Sequence, residues 1–212
     1  MTLANVRREY MQRGLRESDC VADPMQQFRQ WLDQALAADL LEPTAITLAT
    51  TTRDGRPSAR IVLLKGIDER GFVFFTNYDS RKGHELAENP QGALVFYWPD
   101  MERQICVAGT VTKLPAAESE NYFKSRPRGA RLAAWASRQS HVLPDRGALE
   151  KAWKELETRF ASPEVPMPPY WGGNVLSPTR IEFWQGRPNR LHDRFRYTKQ
   201  PDNTWKLERL SP

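Results

Sequence analysis

A mainly β fold with added helices, built as an antiparallel barrel with its helices packed outside, is the architecture this sequence predicts. About eight short runs of β-branched, aromatic and alternating apolar residues are joined by short polar turns, which makes sequence neighbours antiparallel. Helical stretches arrive as inserted blocks and do not alternate regularly with the strands. No GxGxxG follows a first strand, which argues against a doubly wound dinucleotide fold and for a barrel.

Residues 1–22 are polar and read as a mobile N-terminal segment, and residues 23–212 read as a single domain. ADPMQQFRQWLDQALAADL starts well as a helix, with Asp23 as cap, Pro24 in the first turn, and Phe28, Trp31, Leu32, Ala35 and Leu36 on one face. TAITLATTT and SARIVLLK flank RDGRP, whose Asp-Gly signals a hairpin. GFVFFTN is a further strand, followed by a short helix, SRKGHELAEN, that Pro90 stops. ALVFYW and RQICVAGTVTKL form a second hairpin around PDME. Three helical segments come next: AAESENYFKS, ARLAAWASR and DRGALEKAWKELETRF. The Pro-rich SPEVPMPPYWGG reads as a loop before the strand TRIEFWQG, and QPDN turns RFRYTK into TWKLERL.

At 212 residues the chain can bury a sizeable core, and 40% hydrophobic with 27% charged residues is ordinary for a globular protein. No apolar run approaches the roughly 18 residues of a membrane span. The N-terminal stretch lacks a signal peptide's apolar core and is too acidic for a transit sequence, so a cytoplasmic location is expected. Cys20 and Cys106 have no metal-ligand spacing, and His84, His141 and His192 are scattered, so no metal is expected. A net charge of +5 favours anionic partners: nucleic acid, anionic lipid or phosphorylated small molecules. Charge alone does not choose among them, but no Lys/Arg-rich run or low-complexity tail points to nucleic acid.

Four stretches carry more charge than a scaffold needs. In SRKGHE, Ser80 reads as an N-cap and puts Arg81 and Lys82 in the first helical turn. Cations are disfavoured at that positive end unless an anion sits among them. A phosphate would satisfy both cations and the free N–H groups; splaying into water is the plainer reading. In RIVLLK, a strand turns Arg60, Val62 and Leu64 to one side and Ile61, Leu63 and Lys65 to the other. Its terminal cations either face a ligand or snorkel at the strand ends. In YFKSRPR, Tyr122 and Arg126 lie four apart on a helix that Pro127 ends, so they share a face. That pair can hold a phosphate or simply stack at the surface. In RLHDR, an extended backbone puts Arg190, His192 and Arg194 on one face and Leu191 and Asp193 on the other. Like charge disfavours the imidazolium there and suits His192 to neutral hydrogen bonding. The alternative is a charged edge strand balanced by Asp193.

These stretches occur in one order: RREY at 7–10, RIVLLK at 60–65, FFTN at 74–77, SRKG at 80–83, ERQ at 102–104, YFKSRPR at 122–128, SRQS at 137–140, WGG at 171–173, IEFWQG at 181–186 and RLHDR at 190–194. In that order, and with a terminal ERLSP, the chain resembles the pyridoxine (pyridoxamine) 5'-phosphate oxidase family from about residue 7 to Pro212. The resemblance implies an FMN-binding split β-barrel, antiparallel and Greek-key-like, that forms a homodimer with FMN at the interface. It implies oxidation of pyridoxine 5'-phosphate and pyridoxamine 5'-phosphate to pyridoxal 5'-phosphate, with O2 as acceptor, H2O2 as product and NH3 released from the amine. No nucleic acid or membrane partner is implied.

Carried over by position, FMN would contact Arg60, Ile61, Val62, Leu63, Leu64 and Lys65, then Phe75, Thr76, Arg81 and Lys82. Gln104, Gln139, Ser140, Trp184 and Arg194 complete that set, some donated by the second subunit. Lys65, Tyr122 and Arg126 would hold the substrate phosphate. Arg190 and His192 would lie against the pyridine ring as the candidates for positioning or proton handling, with Leu191 between them. Arg7, Arg8, Glu9 and Tyr10 would close over the site as a lid. Two departures stand out. Position 75 is Phe where some relatives carry Tyr, and Ala130 replaces a serine that assists the phosphate. A phenazine-biosynthesis type of flavin oxidase on the same barrel, or a non-catalytic flavin- or nucleic-acid-binding barrel, are the rival readings.

Overall fold

The computed structural model describes residues 9–11, 14–162 and 164–212; Arg7 and Arg8 lie outside them. Helix α1 (Pro24–Ala37) starts as expected: the Asp23 carboxylate accepts from the Met25 N–H at 2.9 Å and Pro24 sits in the first turn. Then come strands β1 (Ala45–Thr51), β2 (Pro57–Asp68) and β3 (Gly71–Asn77), helix α2 (Arg81–Glu88), and strands β4 (Gln91–Trp98) and β5 (Arg103–Lys113). Helices α3 (Ala116–Ser125), α4 (Arg128–Ala136) and α5 (Arg146–Arg159) follow as a block. Strands β6 (Trp171–Gln185), β7 (Asp193–Lys199) and β8 (Trp205–Leu210) end the chain.

Every strand pairing is antiparallel, in the order β3-β2-β1-β4-β5-β6-β7-β8, and a β3–β6 pairing closes the first six strands into a barrel. Strands β1 to β3 form a meander and β4 returns beside β1, which is the Greek-key arrangement. Strands β7 and β8 extend the sheet beyond the barrel. The core fills the barrel and its end. Phe28 of α1 packs 4.8 Å from both Phe72 and Phe96, and Trp31 meets Phe183 edge-on at 5.2 Å. Burying a side chain of this size is worth about 1.5–3 kcal/mol, so α1 is bound to the barrel by its aromatic face. Leu36, expected on that face, is 52% exposed.

Three further differences from the sequence reading matter for the site. The WGG segment, expected as loop, is the start of β6 and pairs with the end of β3. Pro and Gly normally break strands, but here Pro178 lies where the β5–β6 register shifts, opposite Gly109. A Cβ on Gly109 would stand 2.1 Å from the Ser177 carbonyl oxygen. Residues 190–194 are not uniformly extended either: Arg190 has φ 61°, and β7 begins only at Asp193. Finally, residues 14–22 are joined to the barrel. Leu15 is in the core, its N–H donates to Asp193 Oδ2 at 3.1 Å, and Tyr197 donates to the Val21 carbonyl at 2.7 Å. Among the described residues no helix is long and apolar enough to cross a membrane.

Candidate active site

Strand β2 alternates as its sequence requires. Leu64 points into the barrel at 5% exposure, while Ile61 and Leu63 stand outward and are exposed. Lys65 follows at a register shift between Leu64 and Gly66. The outward side of β2 forms one wall of a cavity of about 400 Å³. Ile61, Val62, Leu63, Lys65, Phe75, Thr76, Lys82, Tyr122, Arg126 and Gln139, all named from the sequence, line it together. Leu64 belongs to the core, so only its backbone is available to a ligand.

An aromatic stack forms the opposite wall. Strand β3 is buried on both faces, Phe72 and Phe74 inside the barrel and Phe75 against a smaller outer cluster with Leu114 and Val175. Phe75 stacks on Tyr122 at 3.8 Å and on Trp171 at 5.3 Å. A Cβ on Gly173 would come within 2.8 Å of the Phe75 ring, so this glycine lets β6 approach it. The Arg126 guanidinium lies 4.7 Å from the Trp171 ring centroid, and its Nη1 is buried with no hydrogen-bond partner among the described residues. Burial holds the Arg126 pKa below its ordinary value and raises that of Tyr122, with each charge partly offsetting the other's shift. An orphaned, desolvated guanidinium N–H is costly unless an anion meets it.

Lys82 lies on the same cavity. It is buried, donates to Gln139 Oε1 at 2.7 Å and to Ser80 Oγ at 3.4 Å, and sits at the start of α2, where Ser80 is the cap. Burial first, and then the charge of Arg60, bring its pKa down to about 8. Arg60 does not line the cavity. Its Nη1 donates to the Leu48 carbonyl at 3.2 Å and to Thr50, and its Nη2 reaches Ser58 and Glu85. Arg81 donates through Nε to Glu85 and lines a neighbouring cleft with His84 and Ser140.

The remaining candidates form a second group on the outer face of the sheet. Gln104, Trp184 and Arg194 are successive partners across β5, β6 and β7. Tyr10 packs edge-on against Trp184 and His192, 5.5 Å from each, and Trp184 and His192 are 4.7 Å apart. The Arg187 N–H donates to His192 Nδ1 at 3.1 Å, which leaves Nε2 to carry the proton of the neutral ring. Burial first, and the Arg190 charge second, lower the His192 pKa, so the sequence reading had the direction right and the main cause second. Arg194 donates to Glu182 Oε1 at 2.8 Å; Glu9, Arg190 and Leu191 are exposed. Gln104 donates to Cys106 Sγ at 3.4 Å.

This second group does not meet the cavity within the chain. Trp171, on the cavity, and Trp184 stand at opposite ends of β6, thirteen residues apart. At about 3.3 Å per residue that is roughly 40 Å of strand. Sequence reasoning missed Asn77, Ala133, Ala134, Ser137 and Trp171 in the lining. For Trp171 the WGG motif was a usable signal, because paired glycines in a strand mark close approach.

Residues 32–160 match the family model described as pyridoxamine 5'-phosphate oxidase, and residues 171–212 match that of the pyridoxine 5'-phosphate oxidase C-terminal dimerisation region. The chain belongs to the pyridoxamine 5'-phosphate oxidase family. It is a family of flavin-binding oxidoreductases. A pyridoxine/pyridoxamine 5'-phosphate oxidase of Cyanothece is 55% identical over 100% of this chain and 99% of its own length. One from Cupriavidus taiwanensis is 55% identical over 99% of each. Among solved structures, PhzG from Burkholderia lata in complex with tetrahydrophenazine-1-carboxylic acid is 36% identical, with a TM-score of 0.86 over 92% of this chain and 95% of that one. An FMN binding protein from Nostoc punctiforme, 21% identical over 87% of this chain and 97% of its own, shares the fold with a TM-score of 0.70. The dimerisation region holds Trp184, Arg190, His192 and Arg194, the greater part of the second group.

Proposed function

We propose that this family member is an FMN-dependent oxidase that converts pyridoxine 5'-phosphate and pyridoxamine 5'-phosphate to pyridoxal 5'-phosphate in the cytoplasm. Dioxygen accepts the electrons and leaves as hydrogen peroxide; the amine substrate also takes up water and releases ammonia. The observation that carries this reading is the cationic, aromatic-walled cavity with a buried Arg126 N–H that has no partner among the described residues. Its size suits a ring and a phosphate, and its apolar walls with a few convergent polar groups are those of a small-molecule site.

The residues fit a flavin phosphate and a substrate phosphate held apart. Lys82, Arg81 and Arg60 gather around the start of α2, whereas Lys65, Tyr122 and Arg126 lie along the cavity wall. When bound, FMN supplies the two-electron acceptor that dioxygen regenerates. The chain's own part is orientation: the phosphate contacts fix the substrate ring against the flavin, and such positioning is the protein's main contribution in cofactor enzymes. Arg190 and His192 of the partner subunit would cover the pyridine ring, His192 as a neutral donor through Nε2. Arg194 would stabilise negative charge on the reduced ring. No residue is assigned as general base.

The likeness to PhzG supports a second reading, an oxidase acting on a phenazine precursor. Lys65, Tyr122 and Arg126 favour a phosphorylated substrate instead. Purified protein, with its flavin released by heat and identified by chromatography, is assayed for peroxide with pyridoxine 5'-phosphate, pyridoxamine 5'-phosphate and a dihydrophenazine carboxylate. Bound FMN and turnover of the two phosphates are expected. FAD, or turnover of the phenazine alone, would overturn the reading.

A further inference from the structure

Beneath α2 lies a carboxylate that no step of the proposed chemistry uses. Glu85 is 3% exposed, yet four donors converge on its carboxylate. Its Oε2 accepts from the hydroxyls of Thr50 and Ser58 and from Arg60 Nη2 at 3.3 Å, while its Oε1 accepts from Arg81 Nε at 2.8 Å. Thr50 and Ser58 in turn accept from the two Nη groups of Arg60, so the arginine and the carboxylate are locked by shared hydroxyls as well as directly. Burial alone would raise the Glu85 pKa. The two hydroxyls, Arg81 and the Arg60 charge instead bring it to about 2, so the group is ionised throughout the working range.

Arg81 is the informative partner. Its side chain is 62% exposed, and Glu85 holds it by Nε. Among the described residues neither Nη group has a hydrogen-bond partner, so both can face solvent or an anion. A guanidinium gripped along one edge has little rotamer freedom left to lose when it binds. The local charge also matters: Arg60, Arg81 and Lys82 against Glu85 leave a net two positive charges, the complement of a phosphomonoester near its dianionic state.

We propose that Glu85, itself locked in place by Arg60, is a positioning residue that aims Arg81 at the flavin phosphate and thereby sets the preference for FMN over unphosphorylated flavin. This rests on the flavin reading above. Two effects of removing the carboxylate oppose one another. Loss of a negative charge would strengthen the field on the phosphate, whereas loss of the anchor would free Arg81. Glu85 is shielded beneath its two guanidiniums and Arg81 stands at the screened surface, so orientation outweighs charge.

The test titrates apoprotein with FMN and with riboflavin, following flavin fluorescence, for wild type, Glu85→Gln, Arg81→Lys and Arg81→Ala. A glutamine can still accept from the hydroxyls but turns its NH2 toward Arg81. Glu85→Gln should weaken FMN roughly three- to tenfold and leave riboflavin unchanged. Tighter FMN binding would show that charge alone acts, and an unchanged FMN-to-riboflavin ratio would show a merely structural carboxylate; either overturns the proposal. Arg81→Lys keeps the charge at an exposed position and is informative even if the Glu85 variant does not fold. A lysine has one ammonium and cannot grip Glu85 and reach the phosphate together. It should lose as much FMN preference as Arg81→Ala, and retention of the wild-type preference contradicts the positioning role. If wild type itself binds riboflavin as tightly as FMN, the phosphate reading fails and this inference with it.

Discussion

The cavity beside β2 and the row on β5 to β7 contain the same kinds of residue, arginines and aromatics, in opposite states of completion. In the cavity the cations lack anionic partners among the described residues: Arg126 has an orphan N–H, and Lys82 has only the neutral Gln139 and Ser80 as acceptors. Burial disfavours the Lys82 charge and brings its pKa down to about 8. In the row the partners are present. Arg194 is paired with Glu182, His192 accepts from a backbone N–H, and Trp184 is covered by Tyr10. On the proposed reading, the first region is a binding site for anions. On the same proposed reading, the second is a finished surface that covers the site of a partner protomer. Its place in the dimerisation region supports the same conclusion.

If that contrast is right, damage to the cavity should appear chiefly in substrate binding. Losing a charge-assisted contact costs on the order of 1.5–3 kcal/mol, so Arg126→Ala should raise KM for pyridoxine 5'-phosphate roughly ten- to hundredfold. The change in kcat should be smaller, and the preference over unphosphorylated pyridoxine should narrow. Damage to the row should appear elsewhere. Arg190→Ala should lower kcat with a lesser change in KM, because it disturbs reacting geometry rather than uniform binding. Steady-state kinetics of both variants, with flavin content checked first, give the comparison; an intact phosphate preference in Arg126→Ala would break it.

A pH titration sharpens the cavity half. The pKa of Lys82 falls from 10.5 to about 8 in the folded protein. Between those values the unfolded chain holds this proton and the folded chain does not. Apoprotein stability should therefore gain with rising pH in that window, relative to Lys82→Met. FMN affinity should move the other way, falling as pH passes about 8, because a phosphate favours the protonated amine. Denaturant melts and flavin titrations across the window measure the two trends, and Lys82→Met should show neither. The smallest effect is expected at Ala130. Ala130→Ser should leave phosphate binding equal or slightly tighter, and a large rise in KM would mean this pocket is built differently from its relatives.

Much of this organisation was legible in the sequence because it is local. Alternation in RIVLLK assigned the outward residues of β2, and the Ser80 cap placed Arg81 and Lys82 at a helix start. The missing parts depend on contacts far apart in the chain. Trp171 sits in a segment whose glycines and prolines signal a loop, and only pairing with β3, about a hundred residues earlier, makes it a strand. Arg190 departs from the extended face because a left-handed pair, Asn189 and Arg190, precedes β7. Glu85 carries no distinguishing pattern in the sequence; its burial against Arg60 comes from packing α2 on β1 and β2.

The most direct test of the central claim, that each site joins the cavity of one protomer to the row of its partner, is complementation between damaged subunits. Arg126→Ala and Arg190→Ala chains, each nearly inactive at a low substrate concentration, are co-expressed and the mixed dimers assayed at that concentration. In a two-fold dimer with shared sites, half the dimers are hybrids and each regains one intact site, so activity should recover to about a quarter of wild type. No recovery, with hybrid dimers verified by mass, would place both halves of the site in a single chain and contradict the account.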